Sequence, residues 1–375
     1  MSSQPALDLE SLVPSYVRSF EPYIPSKPDE ELKKLYRCDR LFRLNNNENP
    51  LGPPPRAQAF LAAFQPDRGS LYPSGDSFFL RRALAGKFHL DAEQFIVGNG
   101  ANEVITFVIK AFCQPGDNIV TADRTFAVYE WVASFSGVEA RLVPLLGFRF
   151  DDQGMRARID GHTKVVFLCN PNNPTGTYWD EDLLRRFLDA VGPRHIVVLD
   201  EAYGEYVERA DFPDGLKLLR EYENLVVFRT FSKMYGLAGL RIGYLAASPT
   251  LIDIVRHTGV VYSVNSLAQG AAEAALADDG HIRRTRELVK GEKQFLVEAV
   301  KDLGLPVQAD QGCYVMVRTP LNDTLVYRKM MQRGVMIRSM TGFRYPDWIR
   351  ISIGLHDAME ACVNALSEVV ADARR

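Results

Sequence analysis

Lys233 has the most reactive setting in this chain. It follows Ser232 and stands eight positions before Arg241, in Thr230-Phe-Ser-Lys-Met-Tyr-Gly-Leu-Ala-Gly-Leu-Arg241. A lysine held near a buried site can lose its proton and form a Schiff base with an aldehyde. A serine and an arginine beside it could grip a phosphate. Asp200 closes the apolar run His195-Ile-Val-Val-Leu-Asp200 and is followed by Glu201-Ala-Tyr203. A carboxylate there is costly unless it lies at a sheet rim or faces a cation, such as a protonated ring nitrogen. Asn173 lies in Asn170-Pro-Asn-Asn-Pro-Thr-Gly176. Its two prolines restrict the backbone and could aim an amide into a cleft. Gly98-Asn-Gly-Ala101-Asn102-Glu103 puts small residues at a helix start. Free N–H groups and the helix dipole favour a phosphate at such a place.

Each of these groups follows an apolar run. Short β-branched segments occur at Phe95–Gly98, Asn118–Ala122, Lys164–Cys169, His195–Leu199, Leu225–Arg229 and Arg241–Ala246. Helical periodicity falls between them: Val104, Ile105, Phe107, Val108, Ala111 and Phe112 share one face, and Leu183, Leu184, Phe187 and Leu188 another. Continuous rather than alternating strands predict an α/β fold, a mostly parallel sheet with helices on both sides in three layers. Such sheets bind ligands at the carboxyl ends of their strands. Four strand ends thus carry polar residues that a fold does not need. Together they describe one ligand, a phosphorylated pyridine aldehyde. It needs a lysine for the aldehyde, a carboxylate for the ring nitrogen, donors for the phenolic oxygen and a cradle for the phosphate.

The pattern changes along the chain. Residues 1–44 hold five prolines and balanced charge, and predict an extended arm with a short helix near Glu30–Arg37. Asn45–Pro55 is a turn-rich joint. Residues 45–277 form the large domain. From Asp278 a long charged helix is expected, then strands at Tyr314–Arg318, Val335–Arg338 and Trp348–Ile353. A last helix should bury Met359, Cys362, Val363, Leu366 and Val370, with Asp357 and Glu360 as a capping box. Residues 278–375 therefore make a smaller α+β domain, joined by the arm.

Composition narrows the function. A net charge of −3 gives no footprint for nucleic acid, and no apolar run is long enough to span a membrane. Five cysteines without a CxxC pair suggest reduced thiols in the cytoplasm, and six scattered histidines form no metal cluster. No GxGxxG follows a strand, which disfavours a nicotinamide dehydrogenase. A transcription regulator built on this fold would need a basic module before the motifs, and none is evident.

Leu44-Asn-Asn-Asn-Glu-Asn-Pro-Leu-Gly-Pro-Pro-Pro55, GNGANE, FLCNPNNPTG, VVLDEAY, FRTFSKMYGLAGLRIGY and WIRISIG span most of the chain. In these motifs the sequence resembles the fold-type I pyridoxal 5′-phosphate aminotransferases and, within them, the histidinol-phosphate aminotransferases. The resemblance implies that Lys233 holds the cofactor aldehyde and then shuttles the substrate proton. It implies that Asp200 pairs with the ring nitrogen and that Tyr203 and Asn173 bond the phenolic oxygen. Ser232, Arg241 and the amides of Ala101 and Asn102 would hold the phosphate, and Phe126 would stack on the ring. Tyr72 would reach the phosphate of a neighbouring subunit, implying a homodimer. Arg350 would bind a substrate carboxylate or phosphate, with Arg338 and Tyr23 at the substrate phosphate. The implied reaction passes the amino group of histidinol phosphate to 2-oxoglutarate.

The chain departs from the family pattern in places. Ala101-Asn102 stands where Ser-Asp is usual, and Phe126 where tyrosine is commoner. Gly312-Cys-Tyr-Val-Met-Val-Arg318 replaces a segment with Ala-Asn-Phe, and Gly354-Leu-His-Asp357 replaces Gly-Thr and acidic residues. Most of these changes fall on the substrate side. They leave open an aromatic or specialised-pathway amino acid as donor. They also leave open a decarboxylase resembling threonine-phosphate decarboxylase, because the same lysine and aspartate serve both chemistries.

Overall fold

The computed structural model describes residues 7–22 and 27–374. Among them is a seven-stranded sheet. Its strands are β2 (Phe95–Gly98), β3 (Asn118–Ala122), β4 (Glu139–Val143), β5 (Thr163–Cys169), β6 (Ile196–Asp200), β7 (Leu225–Thr230) and β8 (Gly243–Ala247), while β1 (Phe42–Arg43) lies elsewhere. The order is β2-β8-β7-β6-β5-β3-β4. Neighbours from β7 through to β4 are parallel, whereas β8 runs against both β7 and β2. In β5, Val165, Val166, Phe167 and Leu168 are all buried. Burial of successive residues requires cover on both faces, which the helices between strands supply. The register sets Cys169 beside Asp200 and Asp200 beside Phe228, so three parallel strands end in one row.

Local chemistry explains the helix ends. Asp180 caps the helix Glu181–Val191 by accepting from Leu183 N–H at 2.8 Å, and Gly192 ends it at φ +67°. Leu184, Phe187 and Leu188 are buried on its inner face. The helix Ala101–Phe112 buries Val104, Ile105, Phe107 and Val108. Its N-cap is Gly100, which offers no side chain to the first N–H groups.

Beyond the sheet, the helix Asp279–Asp302 leads to β9 (Val307–Gln308), β10 (Tyr314–Arg318), β11 (Val335–Met336), β12 (Arg338–Ser339) and β13 (Trp348–Ser352). Strands β12-β13-β10-β9 form an antiparallel sheet, and β11 pairs in parallel with β1. The helix His356–Arg374 packs Met359, Cys362, Leu366 and Val370 inward, with Val363 half-buried.

Three local expectations are corrected. The single strand expected over Val335–Arg338 is two, because its ends join different sheets. The strand expected from Arg241 begins at Gly243, and Arg241 itself has a left-handed φ of 56°. Asp357 lies inside its helix, which begins at His356, and bonds Arg40 at 2.6 Å instead of closing a capping box. Glu360 faces His356 at 3.6 Å.

Candidate active site

A cavity of about 1060 Å³ opens at the carboxyl ends of β5, β6 and β7. Its walls include Ala101, Asn102, Phe126, Asn173, Asp200, Tyr203, Ser232, Lys233, Arg241, Arg338 and Arg350, so eleven of the thirteen expected residues meet there. The two exceptions differ. Tyr72 lies outside the cavity, 84% exposed and stacked on Tyr262. Tyr23 lies outside the described residues.

Lys233 is placed by the turn that follows β7. Its Nζ donates to the carbonyl of Asn46 at 2.7 Å. Burial lowers its pKa to about 8, and the nearby Arg350 and Arg241 push the same way. An amine so placed is far more often neutral than a surface lysine. Asp200, at the end of β6, is 2% exposed. Its Oδ1 accepts from Ala202 N–H at 2.9 Å, and its Oδ2 from the hydroxyl of Tyr129. Burial pushes its pKa up to about 7 against the pull of both donors. A cation at its open side would stabilise the charged form.

Arg350 is delivered by the antiparallel sheet, where β13 sets it directly opposite Arg338 of β12. It is 4% exposed. Nη1 donates to Asn173 Oδ1 at 2.5 Å and Nη2 to the carbonyl of Asn45 at 2.7 Å, while Nε is buried with no partner. No carboxylate among the described residues forms an ion pair with it. Burial lowers its pKa. Tyr203 is buried, accepts from Asn47 Nδ2 at 2.9 Å, and has its pKa raised by burial, so it stays a phenol able to donate. Asn173 faces the cavity, whereas Asn172 holds the loop through Thr125, Thr175 and the carbonyl of Arg124.

At the other end, Gly100 has φ +83°, and a Cβ there would run into the Arg241 guanidinium. Arg241 Nη1 approaches Ser232 Oγ at 3.4 Å. The Arg241 guanidinium thus packs against Gly100, and the uncapped helix start at Ala101 and Asn102, the Ser232 hydroxyl and this guanidinium line the same cavity.

A family model described as aminotransferase class I and II matches residues 39–366. The chain belongs to the class I and II aminotransferases. It is 40% identical over 361 residues to the histidinol-phosphate aminotransferase of Anaeromyxobacter sp. strain Fw109-5, covering 96% of this chain and 99% of that one. It is 39% identical over 368 residues to histidinol-phosphate aminotransferase 2 of Pseudomonas aeruginosa, covering 97% and 99%. The histidinol-phosphate aminotransferase of Sinorhizobium meliloti in complex with pyridoxal 5′-phosphate superposes with a TM-score of 0.85 at 25% identity, covering 96% of this chain and 98% of that one. Aminotransferases of this class use pyridoxal 5′-phosphate. The residues present fit that group. The uncapped helix start with Ser232 and Arg241 suits a phosphate, Asp200 a ring nitrogen, and Lys233 an aldehyde at the cavity wall.

Some residues at this aminotransferase site escaped the sequence. Asn45 and Asn46 act through backbone carbonyls, which any residue carries. The run of three asparagines, with Asn47 at φ +57°, was the available signal, since asparagine tolerates that conformation. Tyr129 was hidden in an apolar helix face with Val128, Val132 and Ala133.

Proposed function

We propose that this aminotransferase passes the amino group of histidinol phosphate to 2-oxoglutarate. The observation that carries this is Arg350, a buried guanidinium without a counter-ion among the described residues, on the same cavity as Lys233 and Asp200. A buried charge without a partner is costly, so an anionic ligand is the natural complement. Arg338, set opposite it, supplies a second cation for a doubly charged substrate. The near-full-length likeness to relatives named histidinol-phosphate aminotransferase supports this donor.

Bound pyridoxal 5′-phosphate supplies an aldehyde for the amine and a ring that draws electrons from the substrate carbon. The chain's residues do the rest. Lys233 Nζ would hold the aldehyde and would serve as the base that takes the proton from the substrate Cα. Asp200 keeps the ring nitrogen protonated. The Tyr203 hydroxyl and the Asn173 amide donate to the phenolic oxygen. Ala101 and Asn102 N–H groups, Ser232 and Arg241 would hold the phosphate, and Phe126 would pack on the ring. Arg350, Arg338 and, by resemblance, Tyr23 hold the substrate's anionic groups.

We further read the active form as a cytoplasmic homodimer without a nucleic-acid or membrane partner. Leu71, Tyr72, Phe78, Phe79, Val260, Val261 and Tyr262 stand exposed in two chain segments joined by the Tyr72–Tyr262 stack. An apolar surface of this kind suits a subunit contact. Five free cysteines suit a reducing compartment. We divide the chain into an arm (1–44), a large cofactor domain (45–277) and a small domain (278–375). The pairing of β1 with β11 supports counting the arm with the last of these.

A half-reaction tests the donor. Histidinol phosphate is mixed with cofactor-loaded protein, without 2-oxoglutarate, and the spectrum is followed. Rapid exchange of the aldehyde-form band for the amine-form band is expected. An unchanged spectrum refutes this donor; carbon dioxide release from an amino acid that carries a carboxyl group, supplied in its place, would indicate a decarboxylase.

A further inference from the structure

Asp200 is held from behind by a residue that does not touch the cavity. Tyr129 belongs to the helix Val128–Phe135, which follows β3, and is fully buried. Its ring stacks on Phe167 of β5, with centroids 4.7 Å apart and planes 13° apart, and meets the edge of Phe126 at 5.6 Å and 85°. Pinned by two aromatic rings, it has little freedom to turn. Its hydroxyl donates to Asp200 Oδ2, while the Ala202 N–H occupies Oδ1. Burial and the Asp200 charge keep the Tyr129 phenol protonated, so it acts only as a donor towards the carboxylate.

We propose that Tyr129 is the positioning residue of Asp200, fixing the plane of its carboxylate and favouring its ionised form when the cofactor binds. This rests on Asp200 pairing with the ring nitrogen, as proposed above. The titratable groups around Asp200 are Tyr129, Cys169, Glu201 and Lys233. Glu201 opposes the negative charge and Lys233 favours it. The Cys169 thiol stays protonated because burial raises its pKa. Of these, Tyr129 alone donates a hydrogen bond to the carboxylate among the described residues. Removing it raises the pH at which the carboxyl ionises.

The test is the affinity of the apoprotein for pyridoxamine 5′-phosphate, which needs no bond to Lys233, measured from pH 6 to 9 on wild type, Tyr129→Phe, Asp200→Asn and the double variant. Tyr129→Phe should bind about tenfold more weakly at pH 7, as for one unit of displaced titration, and recover towards pH 9. In the Asp200→Asn background the same change should have an effect within about twofold, as for a coupled pair. Tyr129→Phe affinity equal to wild type at every pH, with Asp200→Asn weakened, overturns the role of Tyr129 alone. A uniform loss that persists in the Asp200→Asn background also overturns it. Asp200→Asn binding like wild type overturns the assignment of Asp200 beneath it. Should Tyr129→Phe apoprotein fail to fold, Phe167→Leu unstacks the ring and keeps the hydroxyl. It should shift the profile the same way by less, and an unshifted profile overturns the proposal.

Discussion

Replacing Arg350 with methionine separates its service to the fold from its service to a ligand. In the free protein the guanidinium makes two hydrogen bonds, to Asn173 Oδ1 and Asn45 O. Losing them strands two acceptors, at about 1–3 kcal/mol each. The variant also removes a buried charge that lacks a counter-ion among the described residues, and desolvating such a charge costs several kcal/mol. The two effects oppose each other, so the melting temperature of the apoprotein should move by only a few degrees. For an anionic substrate nothing offsets the loss. Two charge-assisted hydrogen bonds at about 1.5–3 kcal/mol each correspond to roughly a 10²- to 10⁴-fold fall in kcat/KM. The assay is steady-state transamination with 2-oxoglutarate and histidinol phosphate varied in turn, beside thermal melts without substrate. A kcat/KM within about threefold of wild type for both substrates would refute the assignment of Arg350 to an anion. A large drop in melting temperature would instead make it a structural residue.

Neighbouring groups give three further predictions. Lys233→Ala should abolish turnover while leaving the apoprotein melting temperature near wild type, and substantial transamination by that variant would sink the mechanism. Because burial lowers the Lys233 pKa to about 8, and the neutral amine is the attacking form, the rate of pyridoxal 5′-phosphate capture should climb about tenfold per pH unit below 8 and level off above it. A rise that continues to pH 10 in stopped-flow absorbance would contradict the lowered value. Glu205 has both carboxylate oxygens buried without hydrogen-bond partners among the described residues, and burial raises its pKa to about 7. A carboxyl with a raised folded pKa favours the fold at low pH and loses that contribution as pH climbs through 7, so Glu205→Gln should stabilise the protein at pH 8 by up to about 3 kcal/mol and by little at pH 4; melts at the two values decide.

What the sequence made legible was the chemistry carried by side chains at strand ends. Lys233 and Asp200 each follow an apolar run, and the switch from apolar to polar marks the sheet rim. The sheet was legible through β5 and β6, whose continuous Val, Ile and Leu runs leave few alternatives. Strand β4 (Glu-Ala-Arg-Leu-Val) was not, because an edge strand half open to water carries charge and loses the apolar signature. The split between β11 and β12 was invisible because it depends on which partner each half meets. Tyr129 packs like any core aromatic, and only three-dimensional placement shows where its hydroxyl points. Asn45 and Asn46 contribute atoms common to all residues.

Those two carbonyls limit how far the chain could be trimmed. The acceptors for Arg350 and Lys233 lie in adjacent residues just past the arm, while the side chains they receive come from the antiparallel sheet and from the turn after β7. A fragment running from Leu51 to Ala277 would retain every strand of the seven-stranded sheet together with Ala101, Asn102, Ser232 and Arg241. It would nonetheless lack Arg350, and its Lys233 would lose the contact to Asn46. The reactive centre is therefore not a module lodged in the sheet but a knot of three distant stretches. Excising, permuting or fusing this protein must keep Asn45 and Asn46 joined to the seven-stranded sheet.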